Sequence, residues 1–159
     1  MKRYFAMFLL IPLLLTGCGN RLKEPVTFYY MHSGYEVDMS SVLGSEQREA
    51  TGHREDLSYL MALYLMGPAD EELQSPIPSG VSILSAEQKN NSIIVHLSES
   101  SDSMTDAQYT LACSCLTLTC LEITDAEYVT INSGDRSLTL RADSLLLQDL
   151  TTGNRTEES

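Results

Sequence analysis

Apolar residues recur along this chain at two periods, and the switch between them marks out its elements. Val26-Thr27-Phe28-Tyr29-Tyr30 is rich in β-branched and aromatic residues and reads as a first strand, with Tyr35 to Met39 as a short partner after a Ser33-Gly34 turn. A polar linker from Ser40 to Gly52 follows. Leu57, Leu60, Met61, Tyr64 and Leu65 then recur at i, i+3, i+4, i+7 and i+8, one face of an amphipathic helix. Glu55 and Asp56 fall in its first turn, where the helix dipole favours acids, and Gly67-Pro68 ends it. Pro76-Ile77-Pro78-Ser79-Gly80 is a rigid turn feeding a hairpin, Val81 to Gln88 against Ile93 to Leu97, joined by Lys89-Asn90-Asn91-Ser92. Ile93, Val95 and Leu97 share one face of that strand and His96 lies on the other.

A second helix should start at Asp106. Thr105-Asp106-Ala107-Gln108 fits a capping box, with Met104 and Tyr109 placed as a hydrophobic staple around it. Tyr109, Ala112, Cys113, Leu116 and Cys120 form its main apolar face, and Leu111, Cys115 and Leu118 make another side apolar too, which is the pattern of a helix buried between layers. A closing hairpin runs from Tyr128 to Ile131 through Asn132-Ser133-Gly134-Asp135, then from Leu138 through Leu140 towards Leu147. These elements predict an α/β domain of the α+β kind, a small, mostly antiparallel sheet packed against two helices. About 125 residues, 25–149, suffice for one core. The polar tail 150–159 has no apolar periodicity and is expected to be disordered.

The amino end has a different pattern. Lys2 and Arg3 precede the apolar run FAMFLLIPLLL, which is too short for a helix that must cross a hydrocarbon core of about 30 Å. Leu15-Thr16-Gly17-Cys18 directly after it resembles the lipobox of a bacterial lipoprotein signal. The resemblance implies removal of residues 1–17, a diacylglycerol on the sulfur of Cys18, and a mature chain anchored to the cell membrane on its extracytoplasmic side. Two acyl chains at about 0.8 kcal/mol per buried CH₂ hold firmly where one binds marginally. Residues 18–24 would then form the lipidated end and a tether of at most about 20 Å.

Charge narrows the partners. The whole chain carries −12, and loss of residues 1–17 takes Lys2 and Arg3 with it, giving −14. This balance argues against nucleic acid as a partner and against a basic patch on anionic lipid, because counterion release and surface attraction both need clustered Lys and Arg that this chain lacks.

Candidate chemistry is sparse. On a helix Cys113 and Cys115 point about 200° apart, while Cys113 and Cys120 sit about 10 Å apart along the axis and Cys115 and Cys120 about 7.5 Å apart. A disulfide needs Cα atoms within roughly 7 Å and converging side chains, so no pair qualifies, and no C-x-x-C or second cysteine cluster supplies four metal ligands. Buried structural thiols are the expectation, although three unpaired thiols outside the cytoplasm are unusual. The period-two run Cys113 to Leu118 also fits a strand, which would void this geometry; the capping box favours helix. His32, His53 and His96 lack metal or base spacing. Ser98 to Ser103 with Glu99, Asp102 and Asp106 matches a cation loop in composition only, lacking EF-hand spacing. No Gly-x-Ser-x-Gly elbow activates a serine. Phe28, Tyr29 and Tyr30 read as core and sheet surface rather than as a sugar-stacking platform.

The order of LMALYLMGPADEE, IPSGVSILSAEQKNNSIIVHLS, DAQYTLACSCLTLT and EYVTI resembles the GerMN domain of sporulation and spore germination lipoproteins over roughly residues 26–132. Leu65-Met66-Gly67-Pro68, Ile77-Pro78-Ser79-Gly80, Val95 to Ser98, and the helix carrying Ala107, Gln108, Thr117 and Leu118 bear the likeness. Departures are the single copy, the Cys113-Ser114-Cys115 segment and the strand after Asn132. The resemblance implies an α/β domain that works by association in the envelope, with no catalytic residue, cofactor or metal to carry over. The partners it implies are the membrane through Cys18, envelope proteins or the cell wall, and self-association. The alternative is a cell-wall hydrolase or an accessory factor to one. On the residues alone, the first-helix positions outside the main stripe, Tyr59, Leu63 and Met66, form the candidate partner surface.

Overall fold

A computed structural model describes residues 24–34 and 42–145. The leader, Cys18 and the tether up to residue 23, Tyr35–Met39 and the tail 150–159 lie outside them. In chain order the elements are β1 (Pro25–His32), β2 (Leu43–Glu49), α1 (Leu57–Leu65), β3 (Leu73–Gln74), β4 (Ile83–Lys89), β5 (Ser92–Leu97), a 3₁₀ turn (Glu99–Ser103), α2 (Asp106–Ile123), β6 (Tyr128–Ser133), β7 (Arg136–Arg141) and the short α3 (Ala142–Leu145).

The class is α+β with mostly antiparallel pairing, as the sequence pattern implies, and the strands divide into two sheets. The first runs β2-β1-β3 and the second β4-β5-β6-β7. All pairs are antiparallel except β5 with β6. Two parallel strands need a crossover, and α2 supplies it. One hydrophobic cluster unites Phe28 and Tyr30 of β1, Leu60, Met61 and Tyr64 of α1, Ile93 and Val95 of β5, Leu116 and Cys120 of α2, and Val129 and Ile131 of β6. α2 therefore lies between layers, which accounts for its apolar second side. Its start is the capping box: Thr105 Oγ1 accepts from Gln108 N, and Thr105 N donates to Gln108 Oε1 at 2.9 Å.

β3 is only two residues long and covers β1 at Met31 and His32 alone. Further along the same strand, side chains take over. Tyr29 N donates to Thr119 Oγ1 of α2 at 3.0 Å, and Tyr64 OH of α1 donates to Tyr29 O at 3.0 Å. The Tyr64 ring stacks on Tyr30 with centroids 4.9 Å apart and lies 6.1 Å from Phe28, while Tyr30 OH donates to Tyr64 O at 3.3 Å. A buried backbone group without a partner costs about 1–3 kcal/mol, so these hydroxyls are as structural as the rings. Two residues from Thr119, the buried Thr117 Oγ1 has no hydrogen-bond partner among the described residues.

Several expectations are corrected. The polar linker Ser40 to Gly52 contains β2, whose half-buried inward positions include Glu46 and Arg48 rather than apolar residues, so the alternation of a strand is hidden. Asp56 is the N-cap of α1, accepting from Tyr59 N at 3.0 Å, so neither it nor Glu55 lies within the first turn. The closing strand stops at Arg141 and turns into α3 instead of running on towards Leu147.

Cys113, Cys115 and Cys120 are free thiols with no exposed surface, on a helix and not a strand. Burial raises all three, Cys113 to about 11 and Cys115 and Cys120 to about 12. A raised folded-state value means that their contribution to stability is complete below the unfolded value near 9 and is lost as pH climbs towards 11–12.

Two outcomes are expected. In urea unfolding, Tyr64→Phe and Thr119→Val should each cost about 1–3 kcal/mol by stranding a backbone group of Tyr29, whereas Thr117→Val should be neutral or stabilising; equal losses at 117 and 119 would refute the assignment. A Cys18→Ala chain should resist an aromatic disulfide reagent at pH 8 until denatured, then titrate three thiols, with a melting temperature that declines above about pH 9.

Candidate functional site

The candidate surface lies along α1, and its position follows from how that helix ends. Asp56 caps the amino end. At the other end Met66 is still helical, Gly67 turns left-handed at φ +80°, and Gly67 N donates to Tyr64 O. Arg48 of β2 reaches over to donate from Nη1 to Leu63 O at 3.1 Å and Gly67 O at 3.0 Å, so a cation meets the negative end of the helix dipole. Glu46 of the same strand lies 3.8 Å from Arg48 Nε and accepts from Ala69 N at 2.9 Å and Asp70 N at 3.0 Å. The strand hidden in the polar stretch thus fixes the turn from which Met66 projects.

Tyr59, Leu63 and Met66 fall at i, i+4 and i+7, on the side of α1 away from buried Leu60, Met61 and Tyr64. They differ in kind. Met66 is 75% exposed; Tyr59 is 39% exposed and its ring stacks on His53 at 4.1 Å; Leu63 is partly buried against the core. Leu84, which sequence reasoning did not single out, is 68% exposed. It sits at a register shift in β4 between Ile83 and Ser85, beside a groove of about 140 Å³ bounded by Met61, Ala62 and Leu65 of α1 and by Ile83 and Ala86 of β4. The adjacent apolar pair Ile83-Leu84, which breaks the alternation of the strand, was the signal for it. The residues lining this groove are uncharged in a chain with 22 acidic residues.

The other chemistry-bearing residues do not converge. His53 lies 4.0 Å from Asp56, His96 is exposed on β5, and His32 is at the end of β1. No group of three or more His, Cys, Asp or Glu that could hold a metal ion occurs among the described residues. The serine-rich loop is the 3₁₀ turn. Ser101 and Ser133 are buried with their hydroxyls in contact, and Ser133 Oγ also donates to Asp102 Oδ1 at 3.2 Å. Gly134 allows this closeness, since a Cβ there would stand 2.6 Å from Asp102 Oδ2. Arg136 fastens the same corner by donating to Met104 O and Asp106 Oδ1 and lying 3.9 Å over the Tyr109 ring, a cation–π contact. These bonds lock β6 and β7 to the start of α2.

No curated protein matches the sequence. Among solved structures, the tandem GerMN domains of the sporulation protein GerM from Bacillus subtilis align with a TM-score of 0.49 and 16% identity, covering 70% of this chain and 39% of that one. A candidate lipoprotein from Clostridium perfringens aligns with a TM-score of 0.48 and 14% identity, covering 75% of this chain and 89% of that one. This chain therefore spans about two fifths of the length of the tandem-domain protein. The family model Germane, described as sporulation and spore germination, matches residues 27–139, from β1 into β7. The resemblance read from the motifs is thereby established, and the chain belongs to the Germane family of sporulation and spore germination.

Proposed function

We propose that this chain is a non-catalytic association module of the bacterial cell envelope, anchored to the membrane by a lipid on Cys18, and that the face of α1 bearing Tyr59, Leu63 and Met66 docks a protein partner during sporulation or germination. One domain, residues 25–149, would be carried on the tether 18–24. The observation that carries the reading is the exposure of Met66 and Leu84, at 75% and 68%, on neighbouring elements of an otherwise strongly acidic chain. Contiguous exposed apolar patches mark association surfaces, and Met66 and Leu84 would supply two members of such a face. Methionine suits such a face, because its flexible thioether adapts to a partner. Family membership supports the process, and the LTGC motif supports the anchor.

Two measurements test the two halves. Cells expressing the chain and fed an alkyne fatty acid should label the wild type and leave Cys18→Ala unlabelled; labelling of both would remove the anchor. A photo-crosslinking residue at Met66 should trap an envelope protein in sporulating cells, and one at exposed Asp135 in the β6–β7 turn should not. Leu84→Glu should abolish the Met66 adduct while shifting stability by no more than about 0.5 kcal/mol, as exposed substitutions do. An adduct that survives Leu84→Glu, or equal trapping at both positions, would sink the docking face. Adducts with wall material alone would redirect the reading to the cell wall.

A further inference from the structure

α2 carries a second, mainly apolar stripe that the described residues cover only in part. Ala107, Leu111, Ser114, Leu118 and Leu121 recur at alternating steps of four and three, the spacing of a helix-packing seam. They lie on the side of the helix away from the fully buried Ala112, Leu116 and Cys120. Ala107 is exposed and the other four are half-buried, and of the five Leu121 alone packs against the core cluster among the described residues. At its amino end the stripe opens into a groove of about 350 Å³ that Ala107 and Leu111 share with Met31 and Pro76. Leucine left half in water forgoes part of the free energy its burial would bring, so the stripe favours an apolar cover.

The chain after β7 leads onto this stripe. Arg136, at the start of β7, donates to Met104 O and Asp106 Oδ1 at the amino end of α2, whereas Arg141, at its end, pairs with Tyr128, which follows the carboxyl end of α2. α3 therefore begins beside the last turns of α2; it packs on that helix, and its Leu145 is half-buried. The next five residues, Leu146-Leu147-Gln148-Asp149-Leu150, hold three leucines. Five residues span about 7.5 Å as a helix and about 17 Å when extended, while Leu118 and Ser114 lie about 4.5 and about 10.5 Å along α2 from Leu121. In either conformation the leucines reach the middle of the stripe. We propose that residues 146–150 dock on α2 of their own chain, with their leucine side chains over Leu118 and Leu121. Attachment favours this occupant, because a segment joined to α3 meets the stripe at an effective concentration in the millimolar range. Charge disfavours a second copy, which would bring −12 against an equal charge. The site is on α2 and does not depend on the docking face of α1.

The experiment places a reporter thiol under the proposed cover. In a full-length Cys18→Ala chain, Leu118→Cys is treated with an aromatic disulfide reagent at pH 8, and Asp135→Cys, in the exposed β6–β7 turn, is the open reference. The thiol at 118 should react far more slowly than the one at 135, and at a rate unchanged by dilution of the protein. Replacing Leu146, Leu147 and Leu150 by serine should speed the reaction at 118 by about tenfold and leave that at 135 unchanged. The native thiols Cys113, Cys115 and Cys120 report the fold in the same assay, since they are buried and should stay silent. If the triple variant unmasks them as well, Leu150→Ser alone serves, and it should speed 118 while they remain silent. The triple variant should also melt about 5 °C or more below its parent, a loss that leucines standing in water would not cause. The proposal fails if the thiol at 118 reacts as fast as that at 135, or if neither serine variant speeds it. It fails too if dilution alone exposes it, which would assign the cover to a second copy.

Discussion

The architecture depends on completing one edge of β1. Its neighbour β3 is two residues long, so the backbone of Tyr29 would be left without partners inside the protein. α1 and α2 answer this from two directions, Tyr64 OH taking the carbonyl and Thr119 Oγ1 receiving the N–H. A buried peptide group tolerates no vacancy, so both helices are held in rotation and height relative to the first sheet. Tyr64 has a second task, because its ring fills the space above Phe28 and Tyr30. Burial also raises its phenol well above the usual value, which keeps the donor protonated.

From that constraint the two-sheet arrangement follows. α2 is the crossover between parallel β5 and β6 and also the element that seals β1, so it must touch both sheets. Small and medium side chains permit that approach: Ala112, Cys113, Cys115, Thr117, Thr119 and Cys120 are all fully buried. Three cysteines in such a helix are compact hydrophobes whose chemistry is suppressed by burial, consistent with their raised values.

Charge is used locally within an acidic whole. Glu46 and Arg48 occupy inward positions of β2 and spend their hydrogen bonds on the backbone around the end of α1. The result is a fixed helix end from which the exposed Met66 projects.

Local rules were enough for much of this. Helical spacing of Leu57 to Leu65, the Thr105 and Gln108 capping box, the Asn90-Asn91 hairpin and the glycine stop at Gly67 involve residues within a few positions of one another, and each formed where the sequence placed it. The α+β class and the family likeness follow from their order. Sequence could not reveal β2, because Glu46 and Arg48 look like solvent-facing residues until the backbone they serve, some 15–24 positions away, is brought to them. Nor could it show the division into two sheets, the parallel β5–β6 pair, or the exposure of Leu84. Strand partners and free surfaces are decided by which distant groups satisfy a buried backbone, and that is settled only when α1 and α2 close on Tyr29 from either side.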